Sequence, residues 1–159
     1  MSLITLSSLE RIAAPKLAEI LLAANAAKNT KAGEQEAKIA IVDVRDDDHI
    51  GGHIRGSLHF PSTSLDATMP TLLRKLADKE TVVFHCALSQ QRGPGAALRY
   101  LREKEAAGAA TRGSSAGEEA KKAQKVYVLD RGFVGWQEVY GPDERLTEAY
   151  RKELWEEGY

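Results

Sequence analysis

Cys86 and Arg92 are the residues of this sequence whose types and spacing point most clearly to chemistry. Cys86 directly follows an apolar segment that ends at His85, and five residues separate it from Arg92. The segment is predicted to be a buried strand, and a helix is predicted to begin near Pro94, because proline suits a first helical turn. A loop that leads from a strand end into a helix N-terminus points successive backbone N–H groups at one spot, and the helix dipole adds partial positive charge there.

The chemistry predicted for this loop is nucleophilic attack on a bound tetrahedral oxyanion. The Arg92 guanidinium group can donate two further hydrogen bonds to such an anion. The same positive field favours the Cys86 thiolate, which is the reactive form of cysteine. The backbone of the intervening residues is predicted to bind the anion: Ala87, Leu88, Ser89, Gln90 and Gln91. The plainer alternatives are a small apolar core residue for Cys86 and a surface salt bridge for Arg92. The strand, loop and helix context favours the active-site interpretation for both residues.

Two neighbouring polar residues are candidates for supporting roles. Asp43 ends a predicted strand parallel to the one before Cys86, so its side chain could face the loop and serve as a general acid. An equally favoured alternative is that Asp43 braces the backbone or Arg45. His85 directly precedes Cys86, but strand alternation points its side chain away from the thiol. We therefore expect His85 to support the site from behind.

The segments around this loop alternate between strand and helix patterns. Apolar, β-branched runs predict four strands, near residues 38–44, 57–60, 81–85 and 125–129. Apolar residues that recur every three or four positions predict helices near 17–24, 72–76, 97–101, 136–140 and 146–154. This alternation predicts an α/β fold with a central, mostly parallel sheet.

We predict a single domain over residues 1–159, interrupted by two low-complexity stretches. Residues 25–37 and 105–124 are rich in Ala, Gly, Ser, Lys and Glu and contain almost nothing to bury. Both are interpreted as surface insertions, either mobile connections or extensions of helices that fray into solvent.

Composition restricts the expected partners and cofactors. A formal net charge of -1 argues against non-specific nucleic-acid binding, and no apolar run approaches the roughly 20 residues that span a bilayer. The sole cysteine, Cys86, excludes an internal disulfide and a cysteine-rich zinc site, and it fits a reducing compartment, the cytoplasm or the nucleus. His49, His53 and His59 lack metal-ligand spacing, so we expect no metal and no organic cofactor.

Three motifs together resemble those of one known family. His85 and Cys86, five residues, and then Arg92-Gly-Pro resemble the signature of the mitotic-inducer (cell-division-cycle) dual-specificity phosphatases and the related eukaryotic arsenate reductases. Residues 41–45 (IVDVR) and 52–56 (GHIRG) resemble the first rhodanese signature, and residues 129–136 (LDRGFVGW) resemble the closing one. The combination is specific, and it implies a rhodanese-like domain with helices on both faces of the sheet.

The resemblance implies a cysteine-dependent phosphatase that works through a phosphocysteine intermediate. The mitotic-inducer enzymes carry glutamates in the loop where Ala87 and Gln91 stand here, so the general acid is left open. The alternative is an arsenate reductase for which glutathione or glutaredoxin is the thiol co-substrate. A thiosulfate sulfurtransferase, whose loop is one residue shorter, and a non-catalytic rhodanese binding module rank below both. The expected ligands are phosphate or arsenate oxyanions, with phosphoproteins as a further substrate class.

Overall fold

The computed structural model describes residues 5–28, 38–110 and 124–156, and its centre is a five-stranded parallel sheet. The strands are β1 Glu10–Ile12, β2 Ile39–Asp43, β3 His53–Ile54, β4 Leu58–His59, β5 Thr81–His85, β6 Lys125–Leu129 and β7 Thr147–Glu148. The central sheet has the order β1-β6-β5-β2-β4, and β3 pairs with β7 in a separate antiparallel ribbon. The helices are α1 Ala14–Lys28, α2 Leu65–Leu76, α3 Arg92–Ala110, α4 Gly132–Tyr140 and α5 Lys152–Glu156, with short 3-10 turns at Leu6–Ser8 and Ser62–Ser64.

Helices cover both faces of the central sheet, because alternate side chains of β2 and β5 enter two separate cores. Val42 and Phe84 belong to a cluster with the apolar faces of α2 and α3. Ile41 and Val83 belong to a second cluster with those of α1 and α4. The α/β fold with a parallel sheet between two helical layers is therefore confirmed. Among the described residues, no helix is both long enough and apolar enough to cross a membrane.

The structure differs from the sequence-based prediction at the ends of the chain. The edge strand β1 was not predicted, and the helix predicted near 146–154 is wrong. Leu146 lies in the core, β7 follows it, and Ala149 adopts a positive φ of 56° that a helix does not allow, so α5 begins only at Lys152. The strand predicted at 57–60 is reduced to Leu58–His59.

The two low-complexity stretches begin inside helices. Residues 25–28 complete α1 and residues 105–110 complete α3, whereas residues 29–37 and 111–123 lie outside the described residues. Gln124, the last residue of the second stretch, is anchored in the structure. Its side-chain amide donates to the carbonyls of Leu76 and Lys79 at 2.7 and 2.8 Å, and its amide oxygen accepts from the Tyr100 hydroxyl at 2.6 Å.

Candidate active site

Cys86 lies immediately after β5, at the start of the loop that leads into α3. Its side chain is buried, with 3% of the residue exposed. The Sγ atom accepts two backbone hydrogen bonds, from the N–H of Ser89 at 3.2 Å and from the N–H of Gly93, in the first turn of α3, at 3.3 Å. These two backbone hydrogen bonds fix the position of the Sγ atom beside the loop.

The carbonyl groups of the loop are held by donors outside it. The Cys86 carbonyl accepts from the N–H of Phe133 at 3.0 Å, and the Ala87 carbonyl accepts from the N–H of Val134 at 2.9 Å. In a trans peptide the N–H points opposite to the C=O. The N–H groups of Ala87 and Leu88 therefore face away from α4.

The concave side of the loop forms a pocket of about 350 Å³. It is lined by six residues in and next to the loop: Cys86, Ala87, Leu88, Gln90, Gln91 and Arg92. A tetrahedral oxyanion fits this volume easily. Of the predicted loop residues, Ser89 alone does not line the pocket, since it is fully buried and its N–H is committed to Cys86 Sγ.

Close packing of the loop against α4 depends on Gly132. A Cβ atom at this position would lie 2.4 Å from the Ala87 carbonyl oxygen and 2.6 Å from that of Cys86. Gly132 also has a positive φ of 57°, which glycine adopts without steric cost. Glycine therefore lets the N-terminus of α4 reach the backbone of the loop.

Arg92 lines the pocket, but its guanidinium group is paired with two carboxylates. Nη1 and Nη2 donate to the two oxygens of Asp48 at 2.8 and 2.6 Å, and Nη1 also donates to Asp46 at 3.2 Å. These hydrogen bonds, chiefly those with Asp48, raise the pKa of Arg92, and the bond from Arg92 lowers the pKa of Asp48 to about 2. Sequence reasoning missed both aspartates, although the run of three acids after Arg45 at the end of β2 is a visible signal.

Asp43 is a brace for Arg45, the alternative left open by the sequence. Its carboxylate is fully buried and accepts hydrogen bonds from Nε and Nη2 of Arg45 at 3.0 and 2.7 Å. Burial alone would raise the pKa of Asp43, but the hydrogen bonds and the charge of Arg45 hold it below its usual value. An ionised carboxylate fixed in this way has no proton to give at neutral pH, so the geometry does not support Asp43 as a general acid.

His85 lies behind the loop, as strand alternation predicts. Its ring is fully buried, Nδ1 lies 3.0 Å from the Cys86 carbonyl oxygen, and Nε2 lies 3.8 Å from Asp43. Burial lowers the pKa of His85, which favours a neutral ring. Within the described residues Nε2 has no hydrogen-bond partner. The histidine therefore supports the loop backbone and does not contact the pocket.

The other three histidines stack on one another beside the brace. The rings of His49 and His59 lie 3.8 Å apart, those of His49 and His53 lie 5.7 Å apart, and Nε2 of His59 bonds to the Arg45 carbonyl at 2.6 Å. In the part of the chain that the structure describes, no group of three or more His, Cys, Asp or Glu side chains is arranged to hold a metal ion.

Comparison with known proteins identifies a matching family and several similar proteins. The profile of the family described as "Rhodanese-like domain" matches residues 23–139. The chain is 42% identical over 115 residues to an Arabidopsis thaliana protein named dual specificity phosphatase Cdc25, covering 70% of each chain. It is 39% identical over 140 residues to a rice (Oryza sativa subsp. japonica) protein named arsenate reductase 2.1, covering 86% of this chain and 79% of that protein.

A solved structure agrees with this assignment. The structure of Ygr203w, described as a yeast protein tyrosine phosphatase of the rhodanese family, superposes with a TM-score of 0.66 at 32% identity, covering 96% of this chain and 99% of that one. The profile match spans most of the described sheet and the whole loop from Cys86 to Arg92. The chain belongs to the rhodanese-like domain family.

Proposed function

We propose that this protein is a cysteine-dependent phosphatase in which Cys86 is the nucleophile and Arg92 stabilises the oxyanion. The observation that carries the proposal is the loop itself, where two N–H groups converge on Sγ and a pocket of about 350 Å³ opens beside it. The names of the relatives from Arabidopsis and yeast, both phosphatases, support the same reaction class.

In the proposed reaction, the Cys86 thiolate attacks phosphorus, an S–P bond forms, and the bond from phosphorus to the ester oxygen breaks. Water then attacks the phosphocysteine and releases phosphate and the thiolate. The N–H groups of the loop and the Arg92 guanidinium stabilise the charge on the equatorial oxygens. Arg92 reaches this role by exchanging its bonds with Asp48 for bonds to the oxyanion.

Protonation of the leaving group is the least favoured step of the proposed phosphatase. Ala87 and Gln91 cannot protonate it, and the Asp43 carboxylate is committed to Arg45. Aryl phosphates leave as stabilised phenolates and need little protonation. We therefore expect faster turnover of aryl phosphates than of alkyl phosphates.

Arsenate reduction is the second candidate, and the same missing acid favours it. Cys86 would form an S–As(V) bond while one As–O bond breaks, and the oxygen, protonated from solvent, leaves as water, so no alcohol leaving group has to be protonated. The two electrons that convert As(V) to As(III) would come from two thiols, which leave as a disulfide. Since Cys86 is the sole cysteine, at least one thiol must be external, from glutathione or a glutaredoxin. The rice relative is named an arsenate reductase.

The remaining proposals concern the domain, its cofactors and its ligand. The whole chain, residues 1–159, acts as one rhodanese-like domain without a metal or organic cofactor, and its ligand is a phosphate or arsenate oxyanion, including the phosphoryl group of a phosphoprotein.

The single thiol fits the cytoplasm or the nucleus. A net charge of -1 does not provide the positive surface that nucleic-acid binding needs. Sulfur transfer and partner binding without catalysis rank below the two reactions above.

The two reactions are separated by a paired assay of the wild type and Cys86→Ser. One arm follows hydrolysis of p-nitrophenyl phosphate, and the other follows arsenate reduction with glutathione and glutaredoxin supplied. As a matched control, iodoacetamide labels the sole thiol of the wild type, with and without inorganic phosphate. We expect phosphate to protect Cys86 and the mutant to lose hydrolysis.

Three other results would change the assignment. Reduction that dominates over hydrolysis would promote the second candidate. Activity that persists in Cys86→Ser would exclude Cys86 as the nucleophile. If the wild type is inactive in both assays and phosphate does not protect Cys86 from iodoacetamide, the enzymatic proposal for these substrates is overturned.

A further inference from the structure

Arg11, far from the loop in sequence, reaches into its backbone. It lies on the edge strand β1, opposite Val128 of β6. Its Nη1 donates to the carbonyl oxygen of Ser89 at 3.1 Å and lies 3.7 Å from a carboxylate oxygen of Asp130. The side chain is 45% exposed, so the contact lies at the rim of the loop.

Ser89, the residue that Arg11 holds, has an unfavourable backbone conformation. Its φ is 56°, in the left-handed region that residues with a Cβ rarely adopt. In this conformation the Ser89 N–H donates to Cys86 Sγ at 3.2 Å, while its carbonyl oxygen accepts from Arg11. The Ser89 hydroxyl is buried and has no hydrogen-bond partner among the described residues, so it does not stabilise the turn. The stabilising bond to the carbonyl comes from Arg11.

The contact with Arg11 also sets the direction of the next N–H. The Ser89 carbonyl and the Gln90 N–H belong to one trans peptide, so they point in opposite directions. Because Arg11 draws the carbonyl toward β1, the Gln90 N–H faces the other way, and Gln90 lines the pocket. Without Arg11, this peptide would lose the hydrogen bond that fixes its orientation, and rotation would turn the N–H out of the pocket.

We propose that Arg11 is a positioning residue for the oxyanion site, acting through the peptide between Ser89 and Gln90. The inference rests on the proposed function, and it adds a residue that lies outside the three sequence motifs. Arg11 parallels the N–H groups of Phe133 and Val134, which hold the two preceding carbonyls of the loop. The loop is thus oriented from two sides, by α4 and by β1.

The competing explanation is that Arg11 acts by charge alone, attracting anions to the pocket. Asp130 lies beside the guanidinium group and offsets this charge. The two explanations also differ in their response to salt. The Debye length is about 3 Å at 1 M salt, so the attraction of an exposed charge is lost there, whereas the direction of a peptide is not.

The test measures tungstate binding by calorimetry for the wild type, Arg11→Met and Arg11→Lys at 0.1 and 1 M NaCl. Lys16→Met, which removes an exposed positive charge from α1, is the matched control. We expect Arg11→Met to weaken tungstate binding about tenfold at both salt concentrations, since one N–H donor to a charged ligand is lost. Arg11→Lys should recover part of the affinity, and Lys16→Met should bind as the wild type does.

Each other outcome overturns a distinct claim. Unchanged binding by Arg11→Met, or a loss that disappears at 1 M salt, overturns the positioning role while leaving the proposed function in place. A wild type that binds no tungstate overturns the proposed function and this inference together. If Arg11→Met does not fold, Arg11→Lys decides alone, because its shorter side chain should still weaken binding at both salt concentrations.

Discussion

Substitution of Gly132 by alanine tests how the loop is held against α4. The added Cβ would lie 2.4 and 2.6 Å from the carbonyl oxygens of Ala87 and Cys86, much closer than van der Waals contact allows. These atoms belong to a hydrogen-bonded backbone, so they cannot rotate away as a flexible side chain would. The loop and the helix must separate.

The cost can be worked out from the contacts. An alanine in the left-handed region costs about 1–2 kcal/mol. Separation weakens the bonds from Phe133 to Cys86 and from Val134 to Ala87, at about 1 kcal/mol each. The free energy of unfolding should therefore fall by about 3–4 kcal/mol, which corresponds to a decrease in Tm of roughly 10 °C for a domain of this size.

Thermal unfolding and hydrolysis of p-nitrophenyl phosphate would be measured together below the Tm of the variant. We expect kcat/KM to fall by more than tenfold while the variant is still folded, because Cys86 and the N–H groups of the loop move. Gly95→Ala is the control, since a Cβ there meets nothing within 4 Å and alanine favours the helix. A Gly132→Ala variant with the Tm and kcat/KM of the wild type would refute the close packing of the loop against α4.

The remaining predictions concern the charged groups around the loop. Asp48→Asn should tighten tungstate inhibition about two- to fivefold, because the Arg92 guanidinium group loses the carboxylate that competes with the anion. Weaker inhibition by tungstate in this variant would contradict the competition. Asp43→Asn should lower the free energy of unfolding by about 3–5 kcal/mol in a urea titration, since Arg45 is left buried without its carboxylate, and a change below 1 kcal/mol would be inconsistent with the brace. Burial lowers the pKa of His49 from 6.5 to about 4, against the opposing charge of Asp43, so between these pH values the unfolded chain binds a proton that the folded chain does not. Stability should therefore fall as pH decreases through this window, by at most about 3 kcal/mol, and His49→Gln should remove that part of the pH dependence.

The sequence was most informative where local pattern and buried position coincide. The runs at β2 and β5 are apolar except at their ends, where Asp43, Thr81 and His85 stand, as is typical of strands covered on both faces, and both were predicted close to their observed bounds. The spacing of Cys86 and Arg92 predicted a loop between a strand and a helix, and the structure has α3 beginning at Arg92.

Features that depend on distant contacts were not predictable from local pattern. The strand β1 has only three residues and exists because it pairs with β6, more than a hundred positions away. The apolar periodicity near 146–154 is typical of a helix, but Thr147 and Glu148 form β7 because they pair with β3. The partners of Arg92 were missed for the same reason, since Asp46 and Asp48 approach it only through the parallel pairing of β2 with β5.

The central claim, that Cys86 attacks the bound phosphoryl group, is tested most directly by trapping the intermediate. The wild type and Cys86→Ser would be mixed with a labelled aryl phosphate, quenched in acid during the first turnover, digested, and examined by mass spectrometry. We predict one phosphoryl group on the peptide that contains Cys86 in the wild type and none in the mutant. A phosphoryl group on another residue, or equal labelling of the mutant, would contradict the account.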